Sequence, residues 1–177
     1  MVEIHHCLWY DEAMNRKIFE WNVRFFTENK TAHTILEIIY KFLPLLMFIA
    51  YPVLLIYAFF MKRDELPRLI LVPLGTFVFV TVLRIIVNEP RPYERYGKPS
   101  VFHKQTKGKS FPSRHTASAF IIAMTFWYVS VPLGVAATVV ALLIEVSRIQ
   151  AGAHYMHDVV AGAAISILSG ILFFFIL

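Results

Sequence analysis

Charge is scarce in this chain. Only 16% of its 177 residues are Asp, Glu, Lys or Arg, where a water-soluble domain usually carries about 25%. Cysteine is scarcer: the single Cys7 excludes a disulfide scaffold. No internal repeat appears at a period of about 20–50 residues, which sets aside a solenoid. The first 34 residues hold Glu3, Asp11, Glu12, Glu20 and Glu28 and lack an apolar core, so no cleavable signal sequence is expected. Apolar residues take the place of all these. They make up 58% of the chain, with 16 Phe, and the mean hydropathy is +0.60. That excess rules out intrinsic disorder and points to a chain whose solvent is a bilayer.

The apolar residues fall into runs. Residues 42–61 form an uncharged stretch of 20, the length of helix that crosses about 30 Å of hydrocarbon. Pro44 and Pro52 sit inside it, tolerable where neighbouring helices re-satisfy the freed carbonyls. After the polar link Lys62-Arg63-Asp64-Glu65, a second span is expected over 66–87, carrying Arg84 at membrane depth. Residues 88–112 are polar and rich in Pro and Lys, and read as a loop of functional length. From Ser113 to Arg148 the chain is again apolar except for Arg114, His115 and Glu145, but one helix of that length would be about 54 Å long. Ser130-Val131-Pro132-Leu133-Gly134 is the expected breaker, giving two spans and a hairpin. Residues 159–177 form the last span, with Ala161, Gly162, Ala163, Ala164, Ser166 and Ser169 for close helix packing.

The N-terminal stretch differs. Met14, Ile18, Trp21 and Phe25 recur at helical spacing while Lys17, Glu20 and Arg24 take another face, the pattern of an amphipathic helix lying in the membrane interface. The expectation is an all-α, polytopic membrane helix bundle. It has an N-terminal interfacial segment (1–34) and a membrane domain (35–177) of five spans, or six if the N-terminal helix crosses. Two spans separate the 88–112 loop from the 149–157 link, so both lie on one face of the membrane. The net charge of +5 falls between apolar runs without aromatic–basic interleaving, which excludes nucleic acid as partner and leaves anionic lipid or a phosphorylated ligand.

Three polar clusters converge on that face. The second span ends in Arg84, six residues, then Arg91-Pro92. The third opens with Pro112-Ser113-Arg114-His115. The four–five junction reads Ser147-Arg148, five residues, His154, three residues, Asp158. His154 and Asp158 are helical neighbours, the arrangement in which a carboxylate fixes an imidazole tautomer. Arg84, Arg91 and Arg148 offer planar donor pairs suited to phosphate. Ser113 and the amides that open the third span add donors at a helix N-terminus.

The ordered triple resembles the type 2 phosphatidic acid phosphatase superfamily, membrane lipid phosphatases related to vanadium haloperoxidases, whose signatures are Lys-x6-Arg-Pro, Pro-Ser-Gly-His and Ser-Arg-x5-His-x3-Asp. Arg84 stands for the usual Lys and Arg114 for the usual Gly; both keep or add positive charge. The resemblance covers residues 84–158. It implies a phosphohistidine on His154, oriented by Asp158, with His115 protonating the leaving group and then activating water. Arg84, Arg91, Ser113, Arg114 and Arg148 would bind phosphate. It also implies a lipid phosphate or diphosphate as substrate: undecaprenyl diphosphate first, then phosphatidylglycerol phosphate or phosphatidic acid. By the same resemblance, the protein would reside in a bacterial inner membrane, its site facing outward.

Phosphoryl transfer needs mainly positioning and charge neutralisation, so no metal and no cofactor are expected. His157 with His154 lacks a third ligand at plausible spacing. Glu145, one turn before Arg148, reads as that arginine's structural partner. His5, His6, His33 and His103 read as surface residues, and Lys41, Lys62, Arg63 and Arg68 as snorkelling anchors. The alternatives are a lipid phosphotransferase of the same fold and a non-catalytic lipid- or anion-binding membrane protein.

Overall fold

The computed structural model describes residues 12–177; the first eleven residues of the expected N-terminal segment, His5, His6 and Cys7 among them, lie outside the described residues. Every regular element among the described residues is helical. The order is α1 (Glu12–Glu28), α2 (Lys30–Met61), a 3-10 turn (Arg63–Glu65), α3 (Leu66–Val87), the short α4 (Pro92–Arg95), α5 (Arg114–Val129), α6 (Val131–Gln150) and α7 (Met156–Gly170). A π-helical turn (Ile171–Ile176) then continues α7.

Local chemistry sets most of the boundaries. Asn29 caps α2, its side chain accepting from the Ala32 amide at 3.0 Å. α2 therefore starts well before the apolar run, runs unbroken through 34–35, and carries Pro44 and Pro52 within it. α3 ends where Asn88 adopts a left-handed conformation (φ 46°, ψ 40°). The breaker between α5 and α6 is narrower than the sequence suggests. Only Ser130 leaves the helix, Pro132 sits in the first turn of α6, and Gly134 is helical, lying against Trp127. Trp127 Nε1 donates to Thr138 Oγ1 at 2.9 Å, closing the hairpin.

Among the described residues, four helical stretches are long and apolar enough to cross a membrane: residues 30–61, 63–95, 131–150 and 156–176. α5 is not among them. Its 16 residues span about 24 Å, short of the roughly 30 Å hydrocarbon core. Running beside α6 in the hairpin, it is the axis of the bundle, with Ala117, Ala119, Phe120, Ile121, Ile122, Ala123 and Thr125 buried against α2, α3, α6 and α7. The outer faces of α2, α3 and α6 expose large apolar side chains such as Phe42, Phe60, Ile86 and Val131, as a lipid-facing surface does.

α1 packs by one face and presents another. Phe19, Asn22 and Phe26 are buried, Phe19 lying over Gly152 and Asn22 Nδ2 donating to the Ile149 carbonyl at 3.5 Å. Met14, Ile18, Trp21 and Phe25, the stripe read from the sequence, all remain exposed.

Glycine decides how closely α7 approaches α5. A Cβ on Gly162 would stand 2.7 Å from the Ser113 carbonyl oxygen, a backbone atom that cannot swing aside, whereas one on Gly75 would meet nothing within 4 Å. Gly162→Ala is expected to cost about 1–3 kcal/mol, lowering the melting temperature in detergent. Gly75→Ala, relieved of glycine's entropy cost in a helix, should hold or raise it. Equal losses at the two positions would contradict this packing.

Candidate active site

Backbone hydrogen bonds gather the three polar clusters at one end of the bundle. The Val101 amide donates to Ala151 O (3.1 Å), the Ser110 amide to Glu89 O (2.8 Å) and the Ser113 amide to Asp158 O (2.8 Å). Arg84, at the end of α3, donates through Nη1 to Pro112 O at 2.9 Å. The 88–113 loop is thus stitched to both α3 and the α6–α7 link.

At the centre lies one carboxylate oxygen. Asp158 occupies the third position of α7, where its Oδ2 accepts from the Tyr155 amide at 3.0 Å and fixes the start of the helix. The same Oδ2 accepts from Ser110 Oγ and lies 3.1 Å from His154 Nδ1. Asp158 and Ser110 are wholly buried and His154 almost so. The partners settle the tautomer. Carboxylate only accepts, so Nδ1 carries the hydrogen. The Nη1 of Arg91, which only donates, faces Nε2 at 3.4 Å, so Nε2 presents its lone pair. Burial, reinforced by the charges of Arg91 and Arg84, pushes the His154 imidazole down to about 4 against the pull of Asp158. The ring is therefore neutral at pH 7.

Guanidinium groups surround this ring. Arg91 is braced by Gly108 O and Ala153 O, each 3.2 Å away. Arg148 is 3% exposed; its guanidinium carbon stands 3.8 Å from the centre of the Tyr40 ring and Nη2 donates to Tyr40 O at 3.1 Å, while its buried Nε has no hydrogen-bond partner among the described residues. Arg84 is also buried. Burying several cations together costs several kcal/mol unless an anion or hydrogen bonds compensate. Such a cluster is suited to a multiply charged anion.

His115 and Arg114 open the first turn of α5 and are exposed. They line a cavity of about 190 Å³ with Phe48, Phe77 and Ser118, and the Arg114 guanidinium lies 5.6 Å from the Phe77 ring centre. His115 is within electrostatic reach of His154, Arg148 and Arg114. The helices thus bring Arg84, Arg91, Arg148, His115, His154 and Asp158 to one place, while the Arg114 side chain turns to the cavity.

Ser113 is engaged within the fold. Its amide is engaged by Asp158 O, and its buried Oγ accepts from the Thr116 amide (3.5 Å) and hydroxyl (3.0 Å), capping α5. Among the described residues no hydrogen bond or ion pair joins Glu145 to Arg148; Tyr40 is the partner, from α2. Chain spacing also hides Glu89, whose carboxylate pairs with His157 at 3.2 Å, His157 in turn lying 3.2 Å from Asp158 Oδ1. Ser110 and Tyr40 carry no local signal, since one sits in a polar loop and the other at the edge of an apolar run.

Comparison with known proteins gives the family. The family model described as PAP2 superfamily matches residues 65–177. The undecaprenyl-diphosphatase BcrC of Bacillus subtilis (strain 168) is 30% identical over 93 residues, 52% of this chain and only 48% of that protein, so the match spans about half of the relative. Among solved structures, Aquifex aeolicus LpxE is 28% identical with a TM-score of 0.67, covering 97% of this chain and 98% of that one. A PAP2-type phosphatidylglycerolphosphate phosphatase from Bacillus subtilis shares the fold at 19% identity, with a TM-score of 0.73 over 91% and 83% of the two chains. With the match of the family model over well over half its length, and the three motifs gathered at one end of a membrane bundle, the chain belongs to the PAP2 superfamily.

Proposed function

We propose that this protein is a metal-independent lipid phosphatase that hydrolyses a lipid phosphate or diphosphate through a phosphohistidine on His154. The observation that carries the reading is the His154 tautomer. Nδ1–H is held by Asp158, and the Nε2 lone pair points to the arginine that would grip the phosphoryl oxygens. Nε2 attacks phosphorus, and the P–O bond to the leaving group breaks. His115 gives its proton to the departing oxygen, then removes one from the water that attacks the phosphohistidine and releases inorganic phosphate. Asp158 steadies the imidazolium formed in between. Arg84, Arg91 and Arg148 neutralise the phosphoryl oxygens as charge shifts, and Ser113 holds the first turn of α5 against α7.

On the leaving-group side, beside His115, Arg114 adds a cation and the Phe48–Phe77 cavity an apolar wall. A leaving group that is itself a lipid phosphate suits that pairing, which favours undecaprenyl diphosphate over phosphatidylglycerol phosphate and phosphatidic acid. The name of the BcrC relative supports the same choice. The protein would sit in a bacterial inner membrane with its site facing outward and α1 lying in the interface, its exposed Met14–Ile18–Trp21–Phe25 stripe in the lipid.

Release of phosphate from a panel of these lipids in detergent, with chelator present, tests the proposal. His154→Ala is expected to abolish release while the protein stays folded by melting temperature; turnover above a few per cent of wild type would remove His154 from the nucleophile role. Ser110→Ala deletes a hydrogen bond to a buried carboxylate worth about 1.5–3 kcal/mol, so kcat should fall about 10–100-fold at little change in KM. A wild-type kcat would show that Asp158 needs no anchor from the loop.

The pH profile follows from the buried imidazole. His154 loses its nucleophilic lone pair as pH falls through about 4. Corrected for the second ionisation of a monoester substrate near about 6, the acid limb of kcat/KM should therefore lie near about pH 4, while the alkaline limb belongs to His115, which must carry a proton to act as the acid. An acid limb at the ordinary histidine value near about 6.5 would contradict the assignment.

A further inference from the structure

Arg148 has few means of keeping still. Its guanidinium is buried, yet among the described residues no carboxylate pairs with it and its Nε has no hydrogen-bond partner. One directional bond remains, from Nη2 to the Tyr40 carbonyl at 3.1 Å. A planar group on a long side chain can still swing about a single bond. The Tyr40 ring stops that swing: the guanidinium carbon lies 3.8 Å from the ring centre, the distance of close face contact.

The ring is itself fixed. Tyr40 is buried in one apolar cluster with Phe26 of α1, Val101 of the long loop and Ala153 of the α6–α7 link, and the Phe102 ring centre stands 4.8 Å from its own. Lys104 Nζ reaches the same ring, but at 5.5 Å and from an exposed residue. The attraction weakens with distance, so Arg148 is the cation that this ring serves first. No sequence motif marks Tyr40, which stands on α2, far along the chain from the three clusters.

We propose that Tyr40 is a positioning residue of the phosphatase, its ring holding the Arg148 guanidinium in the plane from which Nε meets a phosphoryl oxygen. Stacking occupies the face of a guanidinium and leaves its N–H groups, which lie in the plane, free to donate. An arginine fixed beforehand needs no reorganisation when charge moves onto the phosphoryl oxygens, so the ring is felt in the transition state more than in bound substrate. The effect on turnover rests on the phosphatase reading. The grip on Arg148 does not, and it is read separately through the affinity for orthovanadate, a mimic of five-coordinate phosphorus.

The test replaces Tyr40 in the full chain by phenylalanine, then by phenylalanine carrying one, two or three ring fluorines, which drain the face of its negative potential in steps at nearly constant shape. Tyr40→Phe keeps the face and should hold kcat close to wild type. Successive fluorines should lower kcat, by roughly 5–30-fold in all, with KM little changed and vanadate affinity falling by the same factor. Melting temperatures should stay together across the series. With Arg148→Gln the vanadate affinity should no longer respond to fluorine; with Lys104→Gln it should respond as before. Tyr40→Leu, which removes the face, should fall as far as the trifluoro variant, and the fluorine series decides alone if that variant does not fold. A kcat and a vanadate affinity indifferent to fluorine would overturn the proposal, as would a response that survives Arg148→Gln. Vanadate affinity that follows fluorine without turnover of any lipid would sink the phosphatase reading and leave the grip standing. A wild type that neither turns over lipid nor binds vanadate would overturn both.

Discussion

One carboxylate oxygen organises this end of the molecule. Asp158 Oδ2 receives the Tyr155 amide, which starts α7; the Ser110 hydroxyl, which anchors the long loop; and His154 Nδ1, which fixes the ring. The Asp158 carbonyl meanwhile takes the Ser113 amide that begins α5. Two helix starts, the loop and the candidate nucleophile therefore share a single residue. A wholly buried carboxylate tolerates such a position only because every one of those groups donates to it.

The bilayer explains why the chemistry sits where it does. Helices are the spanning form in which backbone groups are satisfied internally, so polar side chains gather at helix ends and in the connections. Small residues at α5 contacts, such as Gly162 on Ser113 and Gly170 on Met124, let α7 approach until its first turn meets that of α5. α5 is short because it belongs to the interior. Flanked on all sides by α2, α3, α6 and α7, it carries His115 at its mouth and places it within reach of His154.

Much of this was legible in the sequence. The second span falls at 66–87 as read, because Pro67 and Asn88 bound a run whose only charges are Arg68 and Arg84, one near each end. The count of apolar runs between the motifs put Arg84, Arg91, Arg148, His115, His154 and Asp158 on one face. The remainder depends on tertiary contacts that no local pattern announces. Tyr40 replaces Glu145 as the partner of Arg148 because a neighbouring helix, not the next turn, supplies the closest aromatic face. Ser110 and Glu89 are ordinary polar loop residues until the loop folds onto α7. Hydropathy likewise marked the apolar core of α2 but not its start at Lys30, which an asparagine cap decides.

The reading of the site as a phosphatase rests on a covalent bond between phosphorus and one named nitrogen. Acid labile and stable to base, that bond can be caught by mixing His115→Gln with a labelled lipid diphosphate, quenching in alkali and locating the label by mass spectrometry. Label on His154 is the expected result, accumulating because the phosphate leaving group of a diphosphate departs with little help from an acid while hydrolysis has lost its base. Label on another residue, or phosphate release with no labelled protein at any time, would contradict it.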